Sequence, residues 1–366
     1  MTLTEADVRT ALGALVDPNT GKDFVSTRSV KSIRVGGADV EVDIELGYPG
    51  KSQFEPIRRE VVAALRKSGA AQVRVNVGAK VVSHSVQRGV KLVPGIKNII
   101  AVASGKGGVG KSTTAVNLAL ALAAEGAAVG VLDADIYGPS QPTMLGIAGR
   151  PESKDGKSLE PMVGHGLQAI SIGFLIDVDT PMVWRGPMVT QALEQLLKDT
   201  RWRDLDYLVV DLPPGTGDIQ LTLAQKVPVT GVAIVTTPQD IALIDARKGL
   251  KMFEKVGIPI LGVVENMSLH ICPKCGHESH IFGSGGAERM CREYGTELLG
   301  QLPLDEAIRA QADSGKPTVV SEPESVQAHA FIKAAKLIAG RVSILAAEIK
   351  AQEQSETQTT EQTKEE

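Results

Sequence analysis

A glycine-rich octet at residues 105–112, with the sequence GKGGVGKS, constrains this chain more than any other feature. It fits the pattern G-x-x-x-x-G-K-S, in which backbone N–H groups turn inward around a phosphate chain. The apolar run at 99–103 is typical of a buried strand, and residues 112–124 are typical of a helix. The octet therefore lies at a strand-to-helix turn, where the positive end of the helix faces a bound anion. We expect this loop to bind a nucleotide.

The two lysines and the serine of the octet have separate expected parts in that site. Lys111 would meet the β- and γ-phosphate oxygens, and the hydroxyl of Ser112 would ligate Mg²⁺. Lys106 is a second cation, beyond what holding a triphosphate requires, and it therefore indicates a role in the transition state. A solvated surface lysine is the alternative interpretation of Lys106. The residues predicted to bind the nucleotide through the loop are Gly105, Lys106, Gly107, Gly108, Val109, Gly110, Lys111, Ser112 and Thr113.

The composition excludes several classes of partner. Hydrophobic residues make up 43% and charged residues 22% of the 366 residues, which is ordinary for a soluble globular chain. A net charge of −4 gives no electrostatic reason to expect nucleic acid. No run approaches the roughly 18 apolar residues needed to cross a bilayer, and the start of the chain lacks the basic and apolar regions of a signal peptide. We therefore expect a cytoplasmic protein that binds neither nucleic acid nor membrane.

The patterning along the chain predicts two domains and a tail. Residues 1–92 mix helical and alternating stretches, which predicts a small α+β domain, and residues 93–97 follow as a linker that contains a Pro-Gly pair. Residues 98–350 alternate apolar runs with helical patterns. This alternation predicts an α/β fold with a doubly wound, mostly parallel sheet. Residues 351–366 are rich in Gln, Thr and Glu, and their composition predicts a disordered tail.

Acidic residues follow two of the predicted strands of this sheet. Asp133 and Asp135 come at the end of one strand, and Asp211 closes the hydrophobic run 207–211. Ligands of doubly wound folds bind at the carboxyl edge of the sheet. Asp211 therefore has the form of the Walker B acid, which orients magnesium-bound water. The segment 212–218, rich in Pro and Gly, is a candidate for a loop that moves when the γ-phosphate leaves.

A C-x-x-C turn formed by Cys272 and Cys275 is the second candidate site. Three cysteines make no disulfide framework, so reduced thiols or metal ligands are expected. Two thiolates are too few for a [4Fe–4S] cluster or a structural zinc, which normally take four ligands. A partner chain, Cys291, or His277 with His280 can complete the set. Structural zinc and a redox-active pair are the alternatives to a cluster, and a small buried thiol is the commoner interpretation of Cys291.

The octet with its early lysine resembles the deviant phosphate-loop ATPases. That resemblance implies that Lys106 reaches across a face-to-face dimer to the partner's nucleotide, as an arginine finger does. It also implies that Asp135 positions the attacking water, with Asp133 in support and no separate strong base. Asn266 ends a predicted strand where the related ATPases hold adenine, and the guanine-selecting pattern Asn-Lys-x-Asp is absent, so ATP is the expected nucleotide. A turn residue is the alternative interpretation of Asn266.

Four motifs in the same order resemble a narrower family, the Mrp-type (ApbC-like) iron–sulfur cluster carrier ATPases. They are the octet 105–112, the stretch 133–140 (DADIYGPS), the segment 211–218 (DLPPGTGD), and Asn266-Met-Ser with Cys272-Pro-Lys-Cys275. The resemblance covers about residues 95–345. By its order of elements and by Val16-Asp17-Pro18 near its start, the preceding domain resembles the small iron–sulfur assembly domain often fused in front of this ATPase in bacteria. That domain contains no cysteine, and partner docking is its expected role.

This resemblance implies an ATPase that carries a cluster. Two chains would form a homodimer, in which facing pairs of Cys272 and Cys275 supply four thiolates to one bridging [4Fe–4S] cluster. ATP binding or hydrolysis would shift the subunit interface and release the cluster to iron–sulfur apoproteins, with assembly scaffold proteins as further partners. The catalytic residues on this interpretation are Lys106, Lys111, Asp135 and Asp211.

The same deviant loop occurs in positioning ATPases of the MinD and ParA type. A positioning ATPase with a structural zinc knuckle is therefore the alternative function. Its membrane-binding form needs a basic amphipathic helix, and residues 331–350 do carry apolar residues at helical spacing. A helix packed on the core explains this stripe as well, and the polar tail argues against an anchor. A third possibility is a non-catalytic scaffold, in which zinc holds the two chains of a dimer together and nucleotide regulates the binding of partners.

Overall fold

The protein is described here by a computed structural model that covers residues 3–84, 91–175 and 186–365. The chain divides into two compact units, one formed by Met1–Val82 with Ala339–Glu366 and the other by Ser83–Ile338. The sequence-based boundaries near residues 92 and 350 lie elsewhere. The difference arises because the last helix of the chain contributes to both units, which no single boundary near residue 350 can describe.

The N-terminal unit contains the small α+β fold that the sequence predicts. Its elements before residue 82 are α1 (Glu5–Gly13), β1 (Val30–Gly36), β2 (Asp39–Leu46), a 3₁₀ turn (Lys51–Gln53), α2 (Phe54–Lys67) and β3 (Gln72–Ala79). The strands form a sheet in the order β1-β2-β3, antiparallel between β1 and β2 and parallel between β2 and β3. Helix α2 buries Ile57, Val61 and Leu65, which share one face because each lies four residues after the one before it.

The larger unit alternates strands with helices. Its strands are β4 (Ile96–Ala103), β5 (Val129–Asp133), β6 (Met162–Gly164), β7 (Leu167–Ser171), β8 (Leu205–Asp211), β9 (Gly231–Thr236), β10 (Ile260–Ile271), β11 (Glu278–Ser279) and β12 (Leu298–Pro303). Its helices are α3 (Lys111–Ala124), α4 (Gln141–Met144), α5 (Gly186–Asp199), α6 (Asp218–Lys226), α7 (Asp240–Lys255), α8 (Gly286–Tyr294), α9 (Glu306–Asp313), α10 (Thr318–Ser321) and the first part of α11 (Val326–Glu365), with a 3₁₀ turn at Ile172–Phe174.

The described strands of this unit form one sheet in the order β11-β10-β9-β4-β8-β5-β7-β6, with β12 paired to β10. The pairs β6–β7 and β10–β11 are antiparallel, and the other described pairs are parallel. Strands β5 and β9 are buried at every residue, as strands covered on both faces should be. The predicted α/β fold with a mostly parallel sheet is confirmed. Because β4, β8 and β5 are neighbours, their carboxyl ends bring the glycine loop, Asp211 and Asp133 together.

The final helix differs from the sequence prediction at its end. The structure has helix up to Glu365, where the composition of residues 351–366 predicts a disordered tail. Gln, Glu and Lys favour the helical conformation intrinsically. The lack of apolar residues, on which the prediction of a disordered tail rests, does not reflect this preference. Nearer its start, the helix buries Ile338, Val342 and Leu345, so the apolar stripe packs on protein. In the part of the chain that the structure describes, no helix is long and apolar enough to span a bilayer.

Candidate functional site

The glycine loop joins β4 to α3 and leaves room for an anion. Gly108 and Gly110 both have a φ of 80°, in the left-handed region that L side chains rarely adopt. A Cβ at Gly110 would also lie 2.2 Å from Nδ2 of Asn266. Around Gly107 and Gly108, by contrast, no heavy atom of the described residues, apart from each glycine and its chain neighbours, lies within 4 Å of the Cβ position. Asn266 therefore closes the loop at Gly110, while the middle of the loop is open to a phosphate chain.

Lys111 begins α3 and points into the protein, with only 6% of its side chain exposed. Its ammonium pairs with Oδ1 of Asp211, which is fully buried at the end of β8, and lies 3.1 Å from Oγ of Ser112. A buried ion pair needs further hydrogen bonds to satisfy its remaining lone pairs. Nε2 of Gln141 supplies one, because it donates to Oδ2 of Asp211 at 2.9 Å. The structure thus brings together the loop lysine, the serine and the strand-terminal acid that the sequence predicts for one site.

Asp133 is buried beneath the loop that follows β5 and organises it. Its Oδ2 accepts hydrogen bonds from the backbone N–H groups of Ser140 and Gln141 at 3.0 and 3.1 Å and from Oγ of Ser171 at 3.1 Å. Burial, together with the smaller effect of the nearby Asp211 charge, raises the pKa of Asp133 to about 7. Asp133 therefore holds the backbone of the loop that follows β5, and its supporting role in hydrolysis stays a prediction.

Asp135 and Lys106 face the open space beside the loop. Both line a cleft of about 260 Å³ that also contacts Lys111, Ser112 and Pro214. Asp135 is half-buried, and burial raises its pKa, although the nearby Lys111 ammonium opposes that shift. Its Oδ1 accepts from the backbone N–H of Gly138 at 3.3 Å. The four residues predicted to be catalytic thus lie around one cleft at the carboxyl edge of the sheet, with Asp211 on its inner side through its pairing with Lys111.

Asn266 connects the glycine loop to β10. Its Nδ2 donates to the backbone carbonyl of Val109 at 2.9 Å, and the residue after it, Met267, has a φ of 56°. On the other side of Asn266, the fully buried Glu265 accepts from Oγ of Ser268 and from the backbone N–H of Ala287. In the structure Asn266 contacts the glycine loop itself, and its expected contact with adenine stays a prediction.

The C-x-x-C turn lies at the far end of β10. The strand ends at Ile271, and the backbone N–H of Cys272 donates to the carbonyl of His277 at 3.0 Å, which closes a tight turn before β11. Cys272 is partly exposed and Cys275 exposed. Hydrogen bonds from the backbone of Lys274 and Cys275, followed by one from the thiol of Cys275, lower the pKa of the Cys272 thiol. Both sulfurs are therefore accessible to a metal ion or cluster that approaches from outside the chain.

Two of the other predicted candidates for a ligand set, Cys291 and His280, do not join this turn. Cys291 is buried in α8, and burial raises the pKa of its thiol to about 11. His280 bonds through Nδ1 to the carbonyl of Ser268 at 2.9 Å. Across the described ranges, no three His, Cys, Asp or Glu side chains converge in a way that could hold a metal ion. Within the described chain the turn supplies two ligands, and a complete set needs ligands from elsewhere.

Sequence reasoning missed three polar residues that shape these sites: Gln141, Ser171 and Glu265. Each is buried and bonds to a residue distant in sequence. For Gln141 a signal existed, since it directly follows the motif at 133–140. Ser171 and Glu265 are single polar residues at the carboxyl ends of predicted or short strands, a pattern that by itself does not separate a functional residue from a structural one.

The site defines a P-loop nucleotide-binding ATPase. It consists of a strand, a glycine loop and a helix, with a buried lysine, a serine and a strand-terminal acid beside them. Comparison with known proteins narrows the class. The family model described as NUBPL iron-transfer P-loop NTPase matches residues 95–339, and a model described as iron–sulfur cluster assembly protein matches residues 5–77. The chain belongs to the NUBPL iron-transfer P-loop NTPase family.

Individual relatives agree with this assignment. The iron–sulfur cluster carrier protein of Escherichia coli K12 is 57% identical over 288 residues, which cover 78% of each chain. A nucleotide-binding protein of Archaeoglobus fulgidus, solved in complex with ADP, is 38% identical with a TM-score of 0.56 and covers 63% of this chain and 90% of that one. The cell division ATPase MinD of Pyrococcus furiosus is 25% identical with a TM-score of 0.50, covering 66% and 98%. The family resemblance seen in the motifs and the predicted ATPase class are thus confirmed.

Proposed function

We propose that this protein is an ATP-hydrolysing carrier that binds a [4Fe–4S] cluster between two copies of the chain and transfers it to iron–sulfur apoproteins. The observation that carries the proposal is the exposed turn at Cys272 and Cys275, which ends the same strand that contacts the glycine loop through Asn266. The cluster is the cargo, and the nucleotide site controls its release. Assembly scaffold proteins are the expected donors of the cluster.

The ligand count supports a shared cluster. A [4Fe–4S] cluster takes four thiolates, and the turn of one chain offers two. Cys291 is buried apart from solvent with a raised thiol pKa, which makes it a poor thiolate ligand. A second copy of the chain contributes an identical pair and completes the set in a symmetric homodimer. Such thiols must stay reduced, and the cytoplasm is the compartment that keeps them so.

The nucleotide site fits Mg²⁺ and a phosphate chain. The hydroxyl of Ser112 and the carboxylate of Asp211 are hard oxygen donors, the type that Mg²⁺ prefers. The open space at Gly107 and Gly108, with the N-terminus of α3 behind it, suits the phosphates. When bound, Mg²⁺ would neutralise charge on the phosphate oxygens. Lys111 would bind the β- and γ-phosphates, and Asp211 would orient the water around the metal site.

The remaining residues of the cleft suit hydrolysis of ATP to ADP and phosphate. Asp135 faces the open cleft and is free to orient the attacking water, which is nearly all that phosphoryl transfer asks of such a residue. Lys106 lines the same cleft from the outer part of the loop, where it can reach a nucleotide bound by a second copy. In a face-to-face dimer its charge stabilises the transition state, as an arginine finger does.

Lys111→Ala tests the link between the nucleotide and the cargo. Cluster-loaded variant and wild type are mixed with an apoprotein under anaerobic conditions, with and without ATP and Mg²⁺, and the activity of the recipient is followed. The variant should hold as much iron and sulfide as wild type, because Lys111 does not contact the cysteine turn, but should lose delivery that depends on ATP. Lys157→Ala, an exposed lysine in a distant loop, is the control. Normal ATP-dependent delivery by Lys111→Ala contradicts the proposal.

The alternative function, a positioning ATPase with a zinc knuckle, receives less support. The apolar stripe that a membrane-binding form requires is buried at Ile338, Val342 and Leu345. A local zinc site would need His277 or His280 beside the two thiols, and His280 instead bonds to the backbone of β10. Sedimentation with liposomes in the presence of ATP separates the two functions, since a carrier should stay in the supernatant.

A further inference from the structure

We propose that Gln141 is a positioning residue of the ATPase site, which keeps the Asp211 carboxylate in place for Mg²⁺ when Lys111 turns to the nucleotide. This inference concerns ATP hydrolysis and stands whether or not the protein carries a cluster. It rests on three observations: the contacts of the Gln141 amide, an oxygen of that amide without a partner, and the competition between Asp211 and phosphate for Lys111.

The Gln141 side chain bridges the two residues expected to form the magnesium site. Only 1% of its surface is exposed. Nε2 donates to Oδ2 of Asp211 at 2.9 Å and to the backbone carbonyl of Ser112 at 3.2 Å. Both acceptors belong to residues that would supply oxygens to Mg²⁺. The amide therefore ties the strand-terminal acid of β8 to the first turn of α3.

The other atom of the same amide has no partner among the described residues. Oε1 of Gln141 is buried and accepts no hydrogen bond from the described residues. Leaving a buried polar atom without a partner is energetically costly, so such atoms are rare in folded proteins. The hydration shell of Mg²⁺ consists of waters that donate hydrogen bonds, and the metal keeps several of them when bound. Oε1 is suited to accept from one of those waters.

The two oxygens of Asp211 have different partners. One of these partners, Lys111, must leave Asp211 when nucleotide binds. Lys111 pairs with Oδ1, whereas Gln141 donates to Oδ2. The loop lysine of a P-loop site binds the β- and γ-phosphates, so nucleotide binding draws its ammonium away from Asp211. Of the side-chain partners described for Asp211, Gln141 then remains. Without it, the carboxylate would be free to rotate as the metal arrives.

The backbone position of Gln141 is fixed by hydrogen bonds to Asp133. Its backbone N–H donates to Oδ2 of Asp133 at 3.1 Å, as does that of Ser140 at 3.0 Å. Gln141 also begins the short helix α4, with proline at the next position restricting the backbone. Asp133 therefore sets the backbone of Gln141, and the Gln141 side chain in turn sets Asp211.

The test measures ADP affinity by calorimetry with Mg²⁺ and with EDTA, and the apparent Mg²⁺ constant of ATP hydrolysis. Gln141→Met keeps the length of the side chain without the amide, and Gln141→Asn keeps an amide that is one methylene too short. Thr143→Ala, an exposed residue of the same helix, is the control. A hydrogen bond to a charged group is strong enough that Gln141→Met should weaken Mg²⁺-dependent ADP binding and raise the apparent Mg²⁺ constant about tenfold.

In EDTA the ADP affinity of Gln141→Met should stay within about twofold of wild type, because the proposed role appears only with the metal. Gln141→Asn should change in the same direction by less, and Thr143→Ala should not change. Equal losses of affinity with Mg²⁺ and with EDTA would mean that Gln141 merely supports the fold. Unaltered Mg²⁺ dependence in both Gln141 variants would equally overturn the inference.

Discussion

Asn266 and Cys272 are joined by one stretch of strand: the side chain of Asn266 donates to the carbonyl of Val109 in the glycine loop, and Cys272 follows the last residue of β10. At about 3.3 Å per residue, the two Cα atoms are at most about 20 Å apart. Met267, between them, has a φ of 56°, and the pairing of β10 with β12 shifts register between Glu265 and Leu269. If the nucleotide controls release of the cargo, as we propose, this irregular segment of β10 is the covalent route by which a displacement of the loop would reach the cysteine turn.

Replacing Asn266 by Ala should uncouple the nucleotide site from the cysteine turn. The variant lacks the 2.9 Å hydrogen bond to Val109, so we expect ATP to lose most of its effect on cluster transfer. A neutral hydrogen bond contributes about 1 kcal/mol, which corresponds to a decrease in ADP affinity of about fivefold. The measurements are the rate of cluster transfer at saturating ATP and the iron content of the variant.

The control for that experiment is Asn76→Ala, which removes a hydrogen bond to Asp43 within the N-terminal unit. This variant should behave as wild type. Iron content should be unchanged in both variants, because neither residue contacts the thiols. If Asn266→Ala retains the full stimulation of transfer by ATP, the path through β10 is not the one that couples the sites.

The glycine loop offers a matched pair of substitutions. Gly110→Ala places a methyl group 2.2 Å from Asn266 in a left-handed backbone, and should lower the free energy of unfolding by about 2 kcal/mol. Gly107→Ala meets no described atom within 4 Å and should change it by less than about 0.5 kcal/mol. Urea titrations without nucleotide provide both values. Equal destabilisation by the two substitutions would contradict the packing described here for Asn266.

Asp133 should leave a signature in the pH dependence of stability. Its pKa is about 7 in the folded protein, against 3.8 for an ordinary aspartate. Between these values the folded state retains a proton that the unfolded chain has released, so stability contributed by the protonated carboxyl is present at low pH and lost as the pH rises through about 7. The free energy of unfolding of wild type, minus that of Asp133→Asn, should therefore fall between pH 5 and pH 8. A difference that stays constant or rises over this range would show that burial does not raise the pKa.

The strands beside the nucleotide site were predictable from sequence because their signal is local. The apolar run 99–103 lies within β4, the run 207–211 lies within β8, and Asp133 ends β5 as the sequence predicts. The glycine loop was equally clear, since a P-loop needs its glycines and lysine within eight residues. Strand β1 was not predicted, because half-exposed polar residues interrupt its apolar positions throughout.

The contacts that connect the sites were not predictable in the same way. Gln141 and Asp211 are 70 residues apart in the chain, and only the neighbouring positions of β5 and β8 bring them together. The strand that the sequence predicts to end at Asn266 extends to Ile271, since pairing with β12 and hydrogen bonds of Ser268 and His270 hold its polar half. The continuity between Asn266 and the cysteine turn therefore appears only in the folded chain.

The most direct test of the central claim is the content of iron, acid-labile sulfide and zinc, with the visible absorption spectrum and the oligomeric state, after anaerobic reconstitution. Wild type should be a dimer with about four iron and four sulfide per two chains. The double variant Cys272→Ala/Cys275→Ala should hold none, and Cys291→Ala should match wild type. One zinc per chain without uptake of iron, or an iron content unaffected by the double variant, would contradict a cluster shared between two cysteine turns.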